Sequence, residues 1–284
     1  MKRCFALIAA FVIVVALAAG CGTKDTTSTQ TPVAATPAKA APAGQTNIAI
    51  DVPCGMLIPF KTVIAEYKKL HSDVAFTEKY DNAGVLVKDI VNNGAKCDLF
   101  VSPGSTELNT LVSKGKADPA TKKAVGKYEL VVIVPHGNPQ NIQKPEDLLK
   151  LKTLSIPDPD INSVGAFGKQ ALTKLGLWDK LQDKFVRPFP EHAIDSHTMV
   201  ANGKSQAGIS YKNCPLETNP EKLDKSKVAV AFSIDPTTYD AAECLVAIMS
   251  DSPVRTQAQA FIDYLLTPDA QKILVDKGLT GIGS

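Results

Sequence analysis

The chain has 284 residues, a formal net charge of +2 and only 6% aromatic residues. That balance leaves no basic, aromatic-interleaved footprint for nucleic acid. Past the N-terminus, no apolar run approaches the roughly 20 residues that span a bilayer as a helix.

Lys2 and Arg3 give the N-terminus a basic start, and Phe5 through Ala19 supply an apolar segment. Small residues then lead into a cysteine, in the order Leu17-Ala18-Ala19-Gly20-Cys21. This is the layout of a cleavable export signal, too short to span a membrane. It resembles the bacterial lipobox, with the usual Leu one place early and Ala18 in its position. On that reading residues 1–20 are a lipoprotein signal peptide and Cys21 is the lipidated first residue of the mature chain. Several acyl chains on one cysteine anchor a protein stably, where a single chain does not. An ordinary signal peptide with a cysteine nearby is the alternative. Either one places the protein outside the cytoplasm, in the cell envelope, with the lipid anchor holding it at the periplasmic or outer face of the membrane.

Residues 21–45 are rich in Thr, Ala, Pro, Lys and Gly and bury too little surface to fold, so they are expected to form a flexible linker. Periodic apolar segments then run to the C-terminus. Asn47–Val52 is β-prone, and Leu57–Leu70 carries apolar residues at helical spacing, with Pro59 in the first turn where its missing N–H costs nothing. Val74–Lys79 reads as a strand and Val85–Val91 as a helix ended by Asn92-Asn93-Gly94. Asp98–Val101 is a short buried strand, followed by a helix from Ser105 to about Lys114. Lys127–Pro135 is the strongest strand. A helix at Pro145–Leu149, a strand at Thr153–Ile156 and a helix at Gly165–Leu175 follow. Thr198–Asn202 reads as helix, and Ala207–Tyr211, Val228–Ile234 and Cys244–Met249 as strands. Pro253–Lys277 holds one or two closing helices.

Strands alternating with helices argue for an α/β protein with parallel strands covered on both faces. Ligands in such sheets bind beyond the C-terminal strand ends, where helix N-termini offer unpaired N–H groups to anions. The loops that meet this condition are Pro53–Met56, Asp81–Gly84, Pro157–Val164, Pro190–Ser196 and the end of the strand at Tyr211.

Four cysteines fall in the folded part: Cys54, Cys97, Cys214 and Cys244. In an oxidising exterior they permit two disulfides in any of three pairings, or remain buried free thiols. No nucleophile-elbow serine and no paired-histidine zinc motif occurs. Gly168-Lys169 has the look of a phosphate loop, but Ser163 stands where its first Gly belongs and Gln170 where Ser or Thr is required. Asp158 and Asp160 fit turn chemistry better than a catalytic pair. The chain is expected to be no enzyme and to carry no cofactor.

The segments AKCDLFVSPGSTELNTLVSKG, YELVVIVP, SIPDPDINSVGAFGKQALTKLGLWDKL and AGISY, in this order, resemble the periplasmic molybdate-binding proteins of bacterial importers. The likeness runs from about Asn47 to the end. It implies a two-lobed type II periplasmic binding protein, each lobe a mixed sheet flanked by helices. Residues 46–125 with 237–284 would form one lobe and 126–236 the other, with the ligand in the cleft between. It also implies the partners: a small oxyanion and an ABC permease in the membrane, served by a monomer. A lipoprotein that senses a ligand and transports nothing shares all of these features.

Members of that family hold a tetrahedral oxyanion with two serines, backbone N–H groups from two loops and one tyrosine. Carried over, the tyrosine is Tyr211 and the backbone positions fall near Val164 and Ala193. Where serines are usual, this chain has Cys54-Gly55-Met56 and Asn82-Ala83-Gly84. Two hydroxyl donors are missing, each worth about 1.5–3 kcal/mol to a charged ligand, and Asn82 is placed to replace one. The implied ligand set is therefore Cys54, Gly55, Met56, Asn82, Ala83, Val164, Ala193 and Tyr211. Two readings of the substitutions stay open. Cys54, Met56 and His192, on a loop with Asp195 and His197, suit a soft metal or a thiophilic oxyanion. Alternatively Cys54 pairs with Cys97, Met56 packs inside its lobe and the histidines are solvated.

Overall fold

The structure, a computed structural model, describes residues 44–186, 195–213 and 227–282. In chain order it opens with β1 (Thr46–Pro53), a 3-10 turn at Cys54–Met56, α1 (Leu57–Leu70), β2 (Val74–Asp81), α2 (Ala83–Asn92), β3 (Leu99–Ser102), α3 (Ser105–Ser113) and β4 (Lys123–Lys127). Then come β5 (Leu130–Pro135), β6 (Leu154–Ser155), α4 (Ser163–Lys174), β7 (Phe185–Val186), α5 (Asp195–Ala201), β8 (Ala207–Tyr211) and β9 (Val228–Ser233). The chain closes with β10 (Glu243–Ile248), α6 (Arg255–Leu265) and α7 (Pro268–Asp276). Among the described residues no helix is long and apolar enough to cross a membrane.

These strands make two five-stranded sheets, in the orders β2-β1-β3-β10-β4 and β7-β6-β8-β5-β9. In the first, β1 runs parallel to both β2 and β3, while β10 is antiparallel to β3 and β4. The second repeats the plan, with β6 parallel to β7 and β8, and β5 antiparallel to β8 and β9. Both sheets are therefore mixed, each flanked by helices, and the fold is two-lobed. One antiparallel strand sits within each otherwise parallel sheet because the chain enters and leaves the lobes there.

Local sequence explains the elements well. Helix α1 buries Pro59, Phe60, Val63, Ile64 and Tyr67, one stripe at helical spacing, against a cluster containing Ile48, Ile50 and Phe261. Tyr67 meets the Phe261 ring edge-on at 5.0 Å. The other face of the first sheet packs Phe100 and Leu245 against Leu86 of α2 and Leu108 of α3. All four residues of β3 are buried, as a central strand covered on both faces requires. Gly94, at φ +69° just past α2, takes the left-handed turn that ends a helix without Cβ strain.

One expected element is corrected. The run Lys127–Pro135 is not a single strand. β4 ends at Lys127 in the first sheet and β5 begins at Leu130 in the second. Between them the Tyr128 N–H donates to the Ala242 carbonyl at 2.7 Å, which ties the two passages of chain between the sheets to each other. The short strand β7 and β4 itself went unforeseen, since neither has a distinct apolar period.

The cysteine pairing is also corrected. Cys97 and Cys244 are free thiols buried in different core clusters, so Cys97 does not pair with Cys54. Burial pushes the Cys244 thiol up to about 12. Cys214 lies outside the described residues, as do Cys21 and the signal and linker segments.

Candidate functional site

The C-terminal ends of β1, β2 and β3 in one lobe face the end of β8 and the start of α4 in the other. Between them lies a cavity of about 40 Å³. The first lobe contributes Pro53, Cys54, Gly55, Asn82, Ala83 and Pro103, and the second contributes Asn162, Val164 and Tyr211, with Tyr128 at the crossing. A single water needs about 10–15 Å³ of such space, so in this arrangement the cavity has room for only a few heavy atoms. None of these ten residues carries a charged side chain. What the wall offers is neutral dipoles: an asparagine amide on each side, two phenols, a thiol and the backbone at helix starts.

Each wall segment is set by local chemistry. Asn82 caps α2, its side-chain oxygen accepting the Gly84 N–H at 2.9 Å, and is itself only 5% exposed. Asn162 caps α4 in the same way, accepting from Val164 at 2.9 Å and Gly165 at 3.3 Å. No Cβ fits at Gly165, since one built there would lie 2.4 Å from the Pro157 carbonyl oxygen. The glycine lets α4 begin directly against the loop that follows β6. Tyr211 stacks on Tyr128 with ring centroids 4.4 Å apart and donates its hydroxyl to the Pro103 carbonyl, in the opposite lobe, at 2.7 Å. The bond pins the roof of the cavity to its floor.

Of the eight ligand residues expected from sequence, the structure brings together Cys54, Gly55, Asn82, Ala83, Val164 and Tyr211. Met56 is a correction. The 3-10 turn rotates it into the core of the first lobe, where it is fully buried with Phe60 and Val63 and does not line the cavity. Val164 is in place, but its N–H is committed to the Asn162 side chain. Ala193 and His192 lie outside the described residues. His197 does not face the cavity from a loop: it sits within α5, 1% exposed, and neither ring nitrogen has a hydrogen-bond partner. Burial pushes its imidazole down to about 4, so it is neutral near pH 7. Among the described residues no three His, Cys, Asp or Glu side chains group as metal ligands.

Pro103, Tyr128 and Asn162 were not foreseen. Asn162 carried a usable signal, an N-cap residue just ahead of a helical period. Tyr128 did not, being hidden in an unbroken β-prone run. Pro103 reaches the cavity as the residue that directly follows β3.

The comparisons with known proteins bear on the family and the fold. The sequence profile of the family described as bacterial extracellular solute-binding protein matches residues 48–280. The putative ABC transporter substrate-binding lipoprotein YvgL of Bacillus subtilis is 28% identical over 214 residues, covering 75% of this chain and 78% of that protein. The molybdate-binding protein ModA of Haemophilus influenzae is 26% identical over 246 residues, covering 84% and 91%. Among solved structures, the periplasmic molybdate-binding protein of Azotobacter vinelandii superposes with a TM-score of 0.64 at 19% identity, over 82% of this chain and 98% of that one. That last likeness bears on the fold alone, and it is the same two-lobed fold.

Proposed function

Since the chain belongs to the family of bacterial extracellular solute-binding proteins, we propose that it is the lipid-anchored binding subunit of an ABC importer and captures a tetrahedral oxyanion of the molybdate and tungstate type. The observation that carries this reading is the cavity: very small, uncharged, roofed by a tyrosine and formed by both lobes at their strand ends. Neutral donors hold a small dianion without a counter-charge, as helix starts and hydroxyls do elsewhere. The Haemophilus influenzae relative named for molybdate supports the same ligand class. Lobe closure on the ligand is the signal to the permease, because a ligand touching both lobes selects the closed state. The lobes are residues 46–125 with 237–284 and residues 126–236. Cys21 is the anchor, residues 22–45 the tether, and the protein acts as a monomer without enzymatic activity. Cys54 in the wall favours one variant of this reading, in which the oxyanion is thiophilic.

A thermal-shift screen of the full-length protein in detergent against molybdate, tungstate, sulfate, chromate, arsenate, arsenite and soft metal cations tests it. A ligand at about 100 times its Kd adds about 2.7 kcal/mol, which raises the melting temperature of a domain this size by about 5–10 °C. Molybdate or tungstate is expected to give that shift. A response to arsenite alone moves the assignment to the thiophilic variant, and a response to metal cations alone overturns the oxyanion reading. The anchor is tested separately: Cys21→Ala is expected to abolish incorporation of an alkynyl fatty acid and release the protein from the membrane fraction.

A further inference from the structure

Beside the cavity, but outside its wall, one acidic side chain joins the two lobes. Glu107 lies on α3 in the first lobe and is 2% exposed. Its carboxyl group reaches across to Ser163, the first residue of α4 in the second lobe, 56 residues along the chain. One oxygen accepts the Ser163 N–H at 3.0 Å, and the Ser163 hydroxyl donates to the other. The neighbours of Ser163, Asn162 and Val164, both line the cavity. Gly104, just ahead of α3, presses on the same serine: a Cβ built there would lie 2.3 Å from its Oγ. No cation pairs with Glu107 among the described residues.

We propose that Glu107 is a closure latch, a positioning residue whose carboxyl group docks on the start of α4 only when the lobes meet, a role that presupposes lobe closure in oxyanion capture. Two opposing effects set its strength. Taking a carboxyl group out of water is unfavourable, and burial raises its pKa accordingly. Two hydrogen bonds from Ser163 and the positive end of a twelve-residue helix offset that loss. This opposition suits a latch that biases the closed state without locking it, so a ligand still decides. Because Ser163 sits between two cavity-wall residues, docking Glu107 also fixes the wall that the ligand meets.

The test uses the full-length protein in detergent with a donor–acceptor dye pair on non-natural side chains at exposed positions Lys114 and Lys152, one in each lobe. Interlobe distance is read without ligand and during titration with sodium molybdate. Glu107→Ala is expected to lengthen the ligand-free distance and to weaken apparent molybdate affinity about tenfold, the loss of one hydrogen-bonded acidic group, while reaching the same distance at saturation. Glu107→Gln keeps an acceptor for the N–H and a polar partner for the hydroxyl, and is expected to recover most of both. A second variant, Ser163→Ala, removes the hydroxyl and keeps the N–H, and should fall between. If Glu107→Ala closes on molybdate with wild-type affinity and an unchanged ligand-free distance, the latch is wrong and the oxyanion reading stands. If the wild-type protein ignores molybdate while Glu107→Ala still opens it, the latch stands and the ligand assignment falls.

Discussion

Asp51 shows how much a single buried group can weigh. It sits on β1 with 4% of its surface exposed and pairs in register with Lys79 of β2. Burial pushes its carboxyl up to about 6, with Lys79 pulling it back and Asp89 and Asp81 pushing it further. The folded pKa is above the unfolded one, so the neutral form is the one that fits the fold. That contribution is complete below about pH 4 and is lost as pH rises through 6, and a shift of this size is worth about 3 kcal/mol. Asp51→Asn keeps the shape without the charge. It is expected to raise the melting temperature at pH 8 by several degrees and to leave it unchanged at pH 4. Parallel melting curves for the two proteins from pH 4 to 8 would show that Asp51 does not titrate on folding. Tyr211 carries a prediction about binding instead. Tyr211→Phe keeps the stack on Tyr128 and loses the hydroxyl that bridges to Pro103. Molybdate affinity by calorimetry should drop roughly three- to tenfold, the usual worth of one hydrogen bond, with little change in ligand-free stability. Unchanged affinity would remove Tyr211 from the site.

At the scale of elements, the two asparagine caps do double duty, each starting a helix and lining the cavity. Asn162 satisfies two N–H groups of α4, so Asn162→Ala should cost about 0.5–2 kcal/mol of stability. Asn162→Asp caps equally well but places a negative charge in the wall. It is expected to melt like the wild type near pH 7 while binding molybdate much more weakly. Equal losses of stability in both variants would mean that capping is not what Asn162 contributes. Such helix starts were largely legible in the sequence, because caps, glycines and the 3.6-residue period are local signals. The period placed α1 at its observed bounds, and the loops at the ends of β1, β2 and β8 were picked out for the reason that makes them site loops, namely strand ends feeding helix starts. What stayed hidden depends on distant partners. The switch of sheets at Tyr128 has no local mark, since β4 and β5 are both β-prone and only their pairing distinguishes them. The family resemblance puts Met56 in the ligand loop, and a single 3-10 turn sends it inward. Glu107 reads as an ordinary exposed helix acid until Ser163 is seen against it.

On the scale of the whole molecule, the proposed capture turns on how closely the lobes approach, and Gly104 sits at that contact. Its φ of 165° is ordinary extended backbone, so alanine there strains nothing within its own lobe. The obstacle exists only across the cleft: the added Cβ would meet Ser163 Oγ at 2.3 Å, Ser163 Cβ at 2.6 Å and the Phe167 ring at 3.1 Å. A serine Cβ is fixed to its backbone and cannot swing aside, so α4 and the lobe it belongs to must back away. That displacement loosens the Glu107–Ser163 contact and the Tyr211–Pro103 bond together. The three atoms nearest the added Cβ all lie across the cleft, so separating the lobes relieves the collision, and Gly104→Ala is expected to melt within about 1–2 kcal/mol of wild type without ligand. Its molybdate affinity should nonetheless fall at least tenfold, with an interlobe distance at saturation longer than the wild-type value. The double variant Gly104→Ala with Ser163→Gly removes the atoms that collide and should restore the closed distance, though not the full affinity, because the hydroxyl that Glu107 holds is gone. If Gly104→Ala instead closes fully on molybdate, the lobes meet by another route than the face between α3 and α4.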